Sequence, residues 1–164
     1  MPVLAYFLTW TTYGTWLHGD ERGSVDDEHN AVGTALIDAD RLRLRSGRRA
    51  LREDAFTLDA KTRPVVERAI RDHAEHRRWR IDALSARSNH VHVVVAAPSH
   101  PAAVVAGQFK SWATRRLRES GLIGERRRVW TKMASTRILH TEASRSAVVD
   151  YVRNFQDPGR RSFK

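Results

Sequence analysis

Two histidines separated by one valine form the clearest chemical pattern in the sequence. The segment HVHVVVAA, residues 90–97, is rich in β-branched residues and predicts a strand. Because side chains alternate along a strand, His90 and His92 should share one face. Two imidazoles on one strand face can bind one divalent cation, and the alternative is a pair of surface histidines on a half-exposed sheet. The opposite face would carry an apolar row suited to a core: Val91, Val93 and Val95.

Other histidines and the tyrosines give weaker signals. His73 and His76 have the i, i+3 spacing of neighbours on a helix, but charged residues surround them. That setting favours two helix-face histidines over a metal site. Tyr6 lies in an apolar segment and is expected in the core. Tyr151 lies in the last predicted helix, where packing beside Val148 is the simplest role for an isolated tyrosine.

Composition narrows the function classes. The chain has 164 residues, no cysteine and a formal net charge of +10, and only four of its 29 basic residues are lysines. The absence of cysteine excludes disulfides, thiolate metal sites and a cysteine nucleophile. Arginine matches phosphates and base edges well, so we expect a nucleic-acid partner, although a GC-rich genome with a solvated surface would leave the same excess. Residues 1–12 lack the pattern of a signal peptide, so the default localisation is cytoplasmic.

The hydrophobic periodicity predicts a single domain, residues 1–164, with a basic tail from about residue 158. Residues 35–55 are read as a short basic helix or an arm. A hairpin with a turn at residues 87–89 should join the second and third strands. The pattern favours an α+β sandwich on a ferredoxin-like theme, with helices on one face of an antiparallel-rich sheet. The predicted elements are strands at 3–12, 80–86, 90–97 and 129–140 (one strand or a pair), and helices at 60–78, 101–119 and from Thr141 or Ser144 through Phe155.

Two basic clusters are candidates for phosphate contact. In QFKSWATRRLR, residues 108–118, Lys110, Thr114 and Arg118 share a helical face. The run at residues 126–128 reads equally well as a phosphate-binding loop or a solvated turn. Phe109 and Trp112 are more compatible with core packing than with base stacking. The candidate DNA-binding residues are Lys110, Arg115, Arg118, Arg126 and Arg127.

Three segments together resemble one family. These are SNHVHVVV followed by a lysine-bearing helix, the late helix with YVRNFQ, and the opening YFLTWTTYGTWLHGDERGSVD. The combination resembles the single-tyrosine HUH transposases of insertion sequences, where HUH denotes His-hydrophobic-His. The opening is similar to the REP-associated tyrosine transposases. The resemblance extends from Tyr6 to Gln156 and implies the HUH endonuclease fold, an RRM-like sandwich with a central antiparallel sheet.

The resemblance also implies roles for individual residues. His90 and His92 would hold Mg²⁺ or Mn²⁺, with Gln156 as the third ligand. Many relatives carry that amide four residues after the tyrosine, where this chain has a phenylalanine, so Asn154 is the alternative to Gln156. Tyr151 would be the nucleophile that forms a 5′-phosphotyrosine link to DNA.

The implied activity is a metal-dependent single-stranded DNA endonuclease and strand transferase acting at hairpin-flanked sites. The implied partners are single-stranded or hairpin DNA and a second copy in a homodimer, in a bacterial, nucleoid-associated setting. Two alternatives remain open: a hairpin-binding protein of the same fold that does not cut, and a basic RNA-binding protein. The second lacks the aromatic RNA-contact pattern of an RRM.

Overall fold

The computed structural model describes residues 2–15 and 53–154. Strands form where β-branched and aromatic residues cluster, and helices form where apolar residues recur every three to four positions. The elements, in chain order, are β1 (Ala5–Thr11), α1 (Thr62–Arg77), β2 (Arg80–Ala86), β3 (His90–Ala96), α2 (Ala102–Glu119), β4 (Ser135–Leu139) and α3 (Glu142–Asn154). No helix in the described ranges is long and apolar enough to cross a membrane.

The strands form one sheet in the order β2-β3-β1-β4, and each neighbouring pair is antiparallel. The first six elements therefore follow the β-α-β-β-α-β order of the ferredoxin-like fold. The predicted α+β sandwich with a central antiparallel sheet is confirmed. As predicted, a short turn joins β2 to β3, and the Arg87 N–H donates to the carbonyl of His90 at 2.8 Å. Because β3 lies between β2 and β1, the two histidines are on an inner strand of the sheet.

The helices occupy both faces of the sheet. The larger core joins one sheet face to α1 and α2 and includes Trp10, Val93 and Phe109. On the other face, Val148 and Val152 of α3 pack with apolar residues of the sheet. The expectation that the helices share one face is therefore wrong for α3. The physical reason lies in the histidine face itself, which also carries Ala5, Ala83, Val94 and Leu139 and needs an apolar cover.

The last strand is shorter than its apolar pattern predicts. Only Ser135–Leu139 pairs as a strand, and Trp130 forms an isolated bridge with Thr12. Helix α2 holds the preceding segment instead, because the Trp130 indole donates to the carbonyl of Lys110 and the Lys110 ammonium donates to that of Thr131. Most of the predicted basic arm at 35–55 and the whole tail from 158 lie outside the described residues; residues 53–55 have no regular structure.

Candidate active site

His90 and His92 project from β3 onto the face that α3 partly covers. Their ring centroids are 4.6 Å apart. His92 is only 8% exposed, while His90 is half-buried. On the opposite face, Val91, Val93 and Val95 are completely buried, as the alternation predicts. The pair is thus part of a packed site and not of an open polar surface.

Each imidazole is oriented through its Nδ1 atom. Thr9 is the cross-strand partner of His92, and its Oγ1 lies 2.7 Å from His92 Nδ1. The Asn89 amide Oδ1 lies 2.8 Å from His90 Nδ1, so that nitrogen carries the proton and donates it. A neutral imidazole with a proton on Nδ1 has an unprotonated Nε2, the atom that can bind a metal ion. Sequence reasoning missed Thr9, because its place opposite His92 depends on the β1–β3 register.

The electrostatics of the site favour neutral histidine. Burial lowers the pKa of His92 to about 3, and the nearby charges of His90 and Arg87 act in the same direction. His92 is therefore neutral at physiological pH. Metal binding requires this form, because a protonated imidazole has no lone pair to give.

The histidine pair fits a divalent cation. The two rings meet edge-on, and both Nδ1 atoms are engaged by neighbours that orient them. Across residues 2–15 and 53–154, no group of three His, Asp or Glu residues completes a metal site. Gln156, the expected third ligand, lies outside the described residues. The alternative, Asn154, is exposed and donates its amide N–H to Asp150 Oδ1 at 2.6 Å.

Helix α3 brings Tyr151 to the histidines. The Thr141 hydroxyl accepts the Ser144 N–H at 3.1 Å at the start of this helix, as the sequence predicts. The Tyr151 ring meets the His92 ring edge-on, with centroids 5.9 Å apart, and lies 6.4 Å from that of Phe7. Tyr6 is on the other sheet face, where its hydroxyl donates to the carbonyl of His100 at 2.9 Å. The histidines and Tyr151 thus come together from separate parts of the sequence.

Lys110 and Arg115 lie on α2, which packs on the sheet face opposite the histidines. The Lys110 ammonium is half-buried and donates to the carbonyls of Thr131 and Lys132 at 2.7 and 3.3 Å, and burial lowers its pKa. The Arg115 guanidinium lies 4.9 Å from the centre of the Trp112 ring. Lys110 therefore contributes to the packing of its own segment.

The arginine cluster at 126–128 is folded back on the protein. The Glu53 carboxylate accepts the backbone N–H groups of Arg127 and Arg128 at 3.1 and 2.7 Å. Arg118 donates to the carbonyls of Arg126 and Arg127, and Arg126 donates to the carbonyl of Asp54. The exposed Arg127 guanidinium bonds to none of the described residues. Among the residues predicted to contact DNA, Arg127 is therefore the one whose charged group makes no bond within the described residues.

The second histidine pair is not arranged as a metal site. His73 Nε2 lies 2.7 Å from Gln108 Oε1, and its ring stacks on Trp112 at 5.4 Å between centroids. His76 is exposed. His73 thus connects α1 to α2, in agreement with the structural interpretation of this pair.

Comparison with known proteins identifies the family. The family model of the IS200-like transposases matches residues 50–155, well over half of the chain. The chain belongs to the IS200-like transposases. This membership confirms the resemblance to insertion-sequence transposases that the sequence motifs indicate. No curated protein matches this IS200-like transposase.

Two solved structures are similar to the IS200-like transposase described above. One is the structure of the REP-associated tyrosine transposase bound to a REP hairpin, with 10% identity and a TM-score of 0.49. That match covers 93% of this chain and 66% of the other, so this chain spans just under two thirds of that protein. The other is a candidate transposase from Deinococcus radiodurans R1, with 16% identity, a TM-score of 0.47, and coverage of 94% and 92%.

Proposed function

We propose that this protein is a single-stranded DNA endonuclease and strand transferase in which Tyr151 is the nucleophile. The observation that carries the proposal is the contact between Tyr151 and His92, whose ring centroids are 5.9 Å apart. A tyrosine beside a histidine pair unites a nucleophile with ligands for a cation. Membership of a transposase family makes DNA the expected substrate.

The proposed step is the transfer of a phosphodiester from DNA to tyrosine. The Tyr151 oxygen attacks the phosphorus and forms a P–O bond, and the bond from phosphorus to the 3′ oxygen of the preceding nucleotide breaks. The phenol proton leaves, and the departing 3′ oxygen takes up a proton to become a 3′-hydroxyl. The number of phosphodiester bonds is unchanged, so attack by a 3′-hydroxyl can reverse the step and join strands without ATP.

The residues around Tyr151 have distinct tasks in this proposal. His90 and His92 would hold Mg²⁺ or Mn²⁺, and a bound cation would polarise the phosphate and offset its developing charge. Thr9 and Asn89 hold the two rings in the orientation that binding needs, and the Asn89 oxygen also keeps the proton of His90 on Nδ1. Phe7 packs against both His92 and Tyr151 and limits where the phenol can move. Gln156 remains the proposed third ligand.

The proposed substrate is single-stranded or hairpin DNA. The chain carries a net charge of +10, and this charge favours a phosphate backbone. An RRM-like mode of RNA binding is disfavoured, because it requires aromatic residues on an open sheet face and here α3 packs on the histidine face. A homodimer remains a prediction from the family resemblance.

The test is a search for covalent protein–DNA adducts. A pool of 3′-labelled single strands, each with a stem-loop beside a randomised segment, is incubated with the protein and Mn²⁺ and separated under denaturing conditions. The wild-type protein should retain label, and mass spectrometry should locate the nucleotide on Tyr151. Tyr151→Phe should bind the same pool but form no adduct, while Tyr6→Phe and Tyr13→Phe should form it.

Two outcomes would contradict the proposed reaction. An adduct that survives in Tyr151→Phe would assign the chemistry to another nucleophile. Tight binding of the pool with no adduct from the wild-type protein would support the hairpin-binding alternative that does not cut.

A further inference from the structure

Asp82 occupies an irregular position in β2, the edge strand beside β3. The β2–β3 register pairs Ile81 with Val95 and Ala83 with Val94, so Asp82 is the extra residue of a β-bulge. Its side chain is only 8% exposed, although it carries a carboxylate. Bulges redirect side chains, and a buried charge needs partners.

Two arginines of α3 converge on Asp82. Near the start of the helix, Arg145 Nη1 lies 3.2 Å from Asp82 Oδ2, close enough for an ion pair but not aligned as a hydrogen bond. At its end, Arg153 Nη2 donates to the main-chain carbonyl of Asp82 at 2.9 Å. A third arginine, Arg80 of β2 itself, donates to Asp82 Oδ1 at 2.8 Å. One residue of the sheet thus contacts both ends of the helix that carries Tyr151.

The direction of these contacts matters for Tyr151. Only Val148 and Val152 of α3 are buried, and an apolar contact of this size resists rotation about the helix axis weakly. The arginines reach toward the sheet edge at β2, whereas Tyr151 contacts His92 of β3 and Phe7 of β1. The arginine contacts on the β2 side of α3 therefore limit how the helix can rotate, and with it the position of the Tyr151 phenol on the opposite side.

We infer that Asp82 is a positioning residue for the nucleophile: it holds α3 in the rotation and register that place Tyr151 beside His92. This inference rests on the proposed function for its catalytic meaning, since it concerns the same tyrosine. The Asp82 carboxylate acts on α3 through Arg145, while Arg153 binds the main-chain carbonyl of the same residue, and neither group of Asp82 contacts the reacting atoms. Loss of its carboxylate should displace the phenol without opening the larger core on the other face of the sheet.

Fluorine NMR tests the placement without DNA or metal. The protein is labelled with 3-fluorotyrosine at its three tyrosines, and the Tyr151 resonance is assigned by its loss in Tyr151→Phe. Asp82→Ala should shift the Tyr151 resonance by more than its linewidth and leave those of Tyr6 and Tyr13 in place. The control is Asp72→Ala, which breaks the exposed Arg68–Asp72 pair on α1 and should move none of the three resonances.

Adduct formation supplies the second readout. At saturating DNA pool and Mn²⁺, Asp82→Ala should form adduct at least about tenfold more slowly, with less than a twofold change in DNA affinity. If Asp82→Ala does not fold, Arg145→Gln removes the same ion pair from the helix side and should give the same shift. Arg145→Lys, which keeps the charge, should restore part of the rate.

The outcomes separate this inference from the proposed function. An unchanged Tyr151 resonance in both Asp82→Ala and Arg145→Gln overturns the positioning role, as does a shift of all three tyrosine resonances together. If the wild-type protein forms no adduct but Asp82→Ala moves only Tyr151, the reaction is wrong and the placement stands.

Discussion

Thr9 and His92 face each other across the β1–β3 pair, with Thr9 Oγ1 2.7 Å from His92 Nδ1. Thr9→Val keeps the shape of the side chain and removes this partner. We expect the affinity for Mn²⁺ to fall about 10- to 100-fold, because the ring loses the contact that holds its orientation. Calorimetric titration with Mn²⁺ measures the change. Thr11→Val is the matched control. Thr11 lies on β1 with Thr9, but its hydroxyl contacts Thr131. Equal losses of Mn²⁺ affinity in the two variants would argue against the role of Thr9.

His90 and His92 should differ in what they contribute to stability. Both alanine variants are expected to lose Mn²⁺ binding. The His92 ring, however, is buried and packs against Phe7 and Tyr151, so His92→Ala should also lower the free energy of unfolding by about 2 kcal/mol or more. His90→Ala should cost less, because that ring is only half-buried. Urea denaturation of the two variants without metal gives the comparison, and equal losses of stability would contradict it.

His73 should make the stability of the protein depend on pH. Burial lowers its pKa in the folded state, opposed by the hydrogen bond with Gln108 and reinforced by the charges of Arg77 and His76. The unfolded state therefore binds more protons below about pH 6.5, the pKa of an unperturbed histidine. The contribution of His73 to the free energy of unfolding should be fully present above about pH 6.5. It should fall as the pH drops from there toward the lower pKa of the folded state. His92 contributes with the same sign.

Variants of the helical histidine pair isolate the effect of His73. The slope contributed by one such group cannot exceed about 1.4 kcal/mol per pH unit. Urea denaturation between pH 7 and pH 5 should show a smaller slope for His73→Gln than for the wild-type protein. His76→Gln, three residues along the same helix and exposed, should reduce the slope less, because His76 makes the smallest of the contributions to the His73 shift. A full slope in His73→Gln would show that protons are taken up elsewhere.

Variants of Lys110 and Arg127 should distinguish a basic residue with a structural role from one that binds DNA. Lys110→Met leaves the carbonyls of Thr131 and Lys132 without their ammonium donor and should lower the free energy of unfolding by about 1–3 kcal/mol. Arg127→Ala should change stability by less than about 0.5 kcal/mol. It should instead lower the slope of log affinity against log salt for a single-stranded hairpin by about 1. An unchanged salt slope would remove Arg127 from the DNA interface.

The period-two alternation of strands made the core of the site predictable. His90 and His92 on one face and Val91, Val93 and Val95 on the other follow from sequence spacing alone, and the structure has both. The position of Thr9 does not follow, because the register between strands far apart in sequence depends on the packing of the whole sheet. The bulge at Asp82 is equally hidden, since an aspartate in a strand pattern gives no local sign of an extra residue.

The place of α3 required information that its own sequence does not carry. Its stripe of Val148 and Val152 predicts a buried side, but either sheet face could have covered it. The face that α3 covers is set by Ala83, Val94 and Leu139, which form an apolar area around the histidines only after the sheet is assembled. Similarly, the apolar residues at 129–134 predict a strand, but hydrogen bonds that involve Lys110 and Trp130 hold that segment against α2.

The inner position of β3 gives the two halves of the site very different resistance to local opening. Hydrogen bonds from β1 and β2 hold β3 on both sides, and its central valines are completely inaccessible, so its amides should exchange with solvent only when the whole domain unfolds. Helix α3 is attached through two buried valines, the ring contacts of Tyr151 and a few contacts at the sheet edge, so its amides should exchange through smaller local openings. We therefore expect local openings to displace the tyrosine helix while the histidines stay in register. If Tyr151 is the nucleophile, a DNA strand linked to that helix would leave and re-enter the site at little free-energy cost, as the proposed reversible cleavage and rejoining requires.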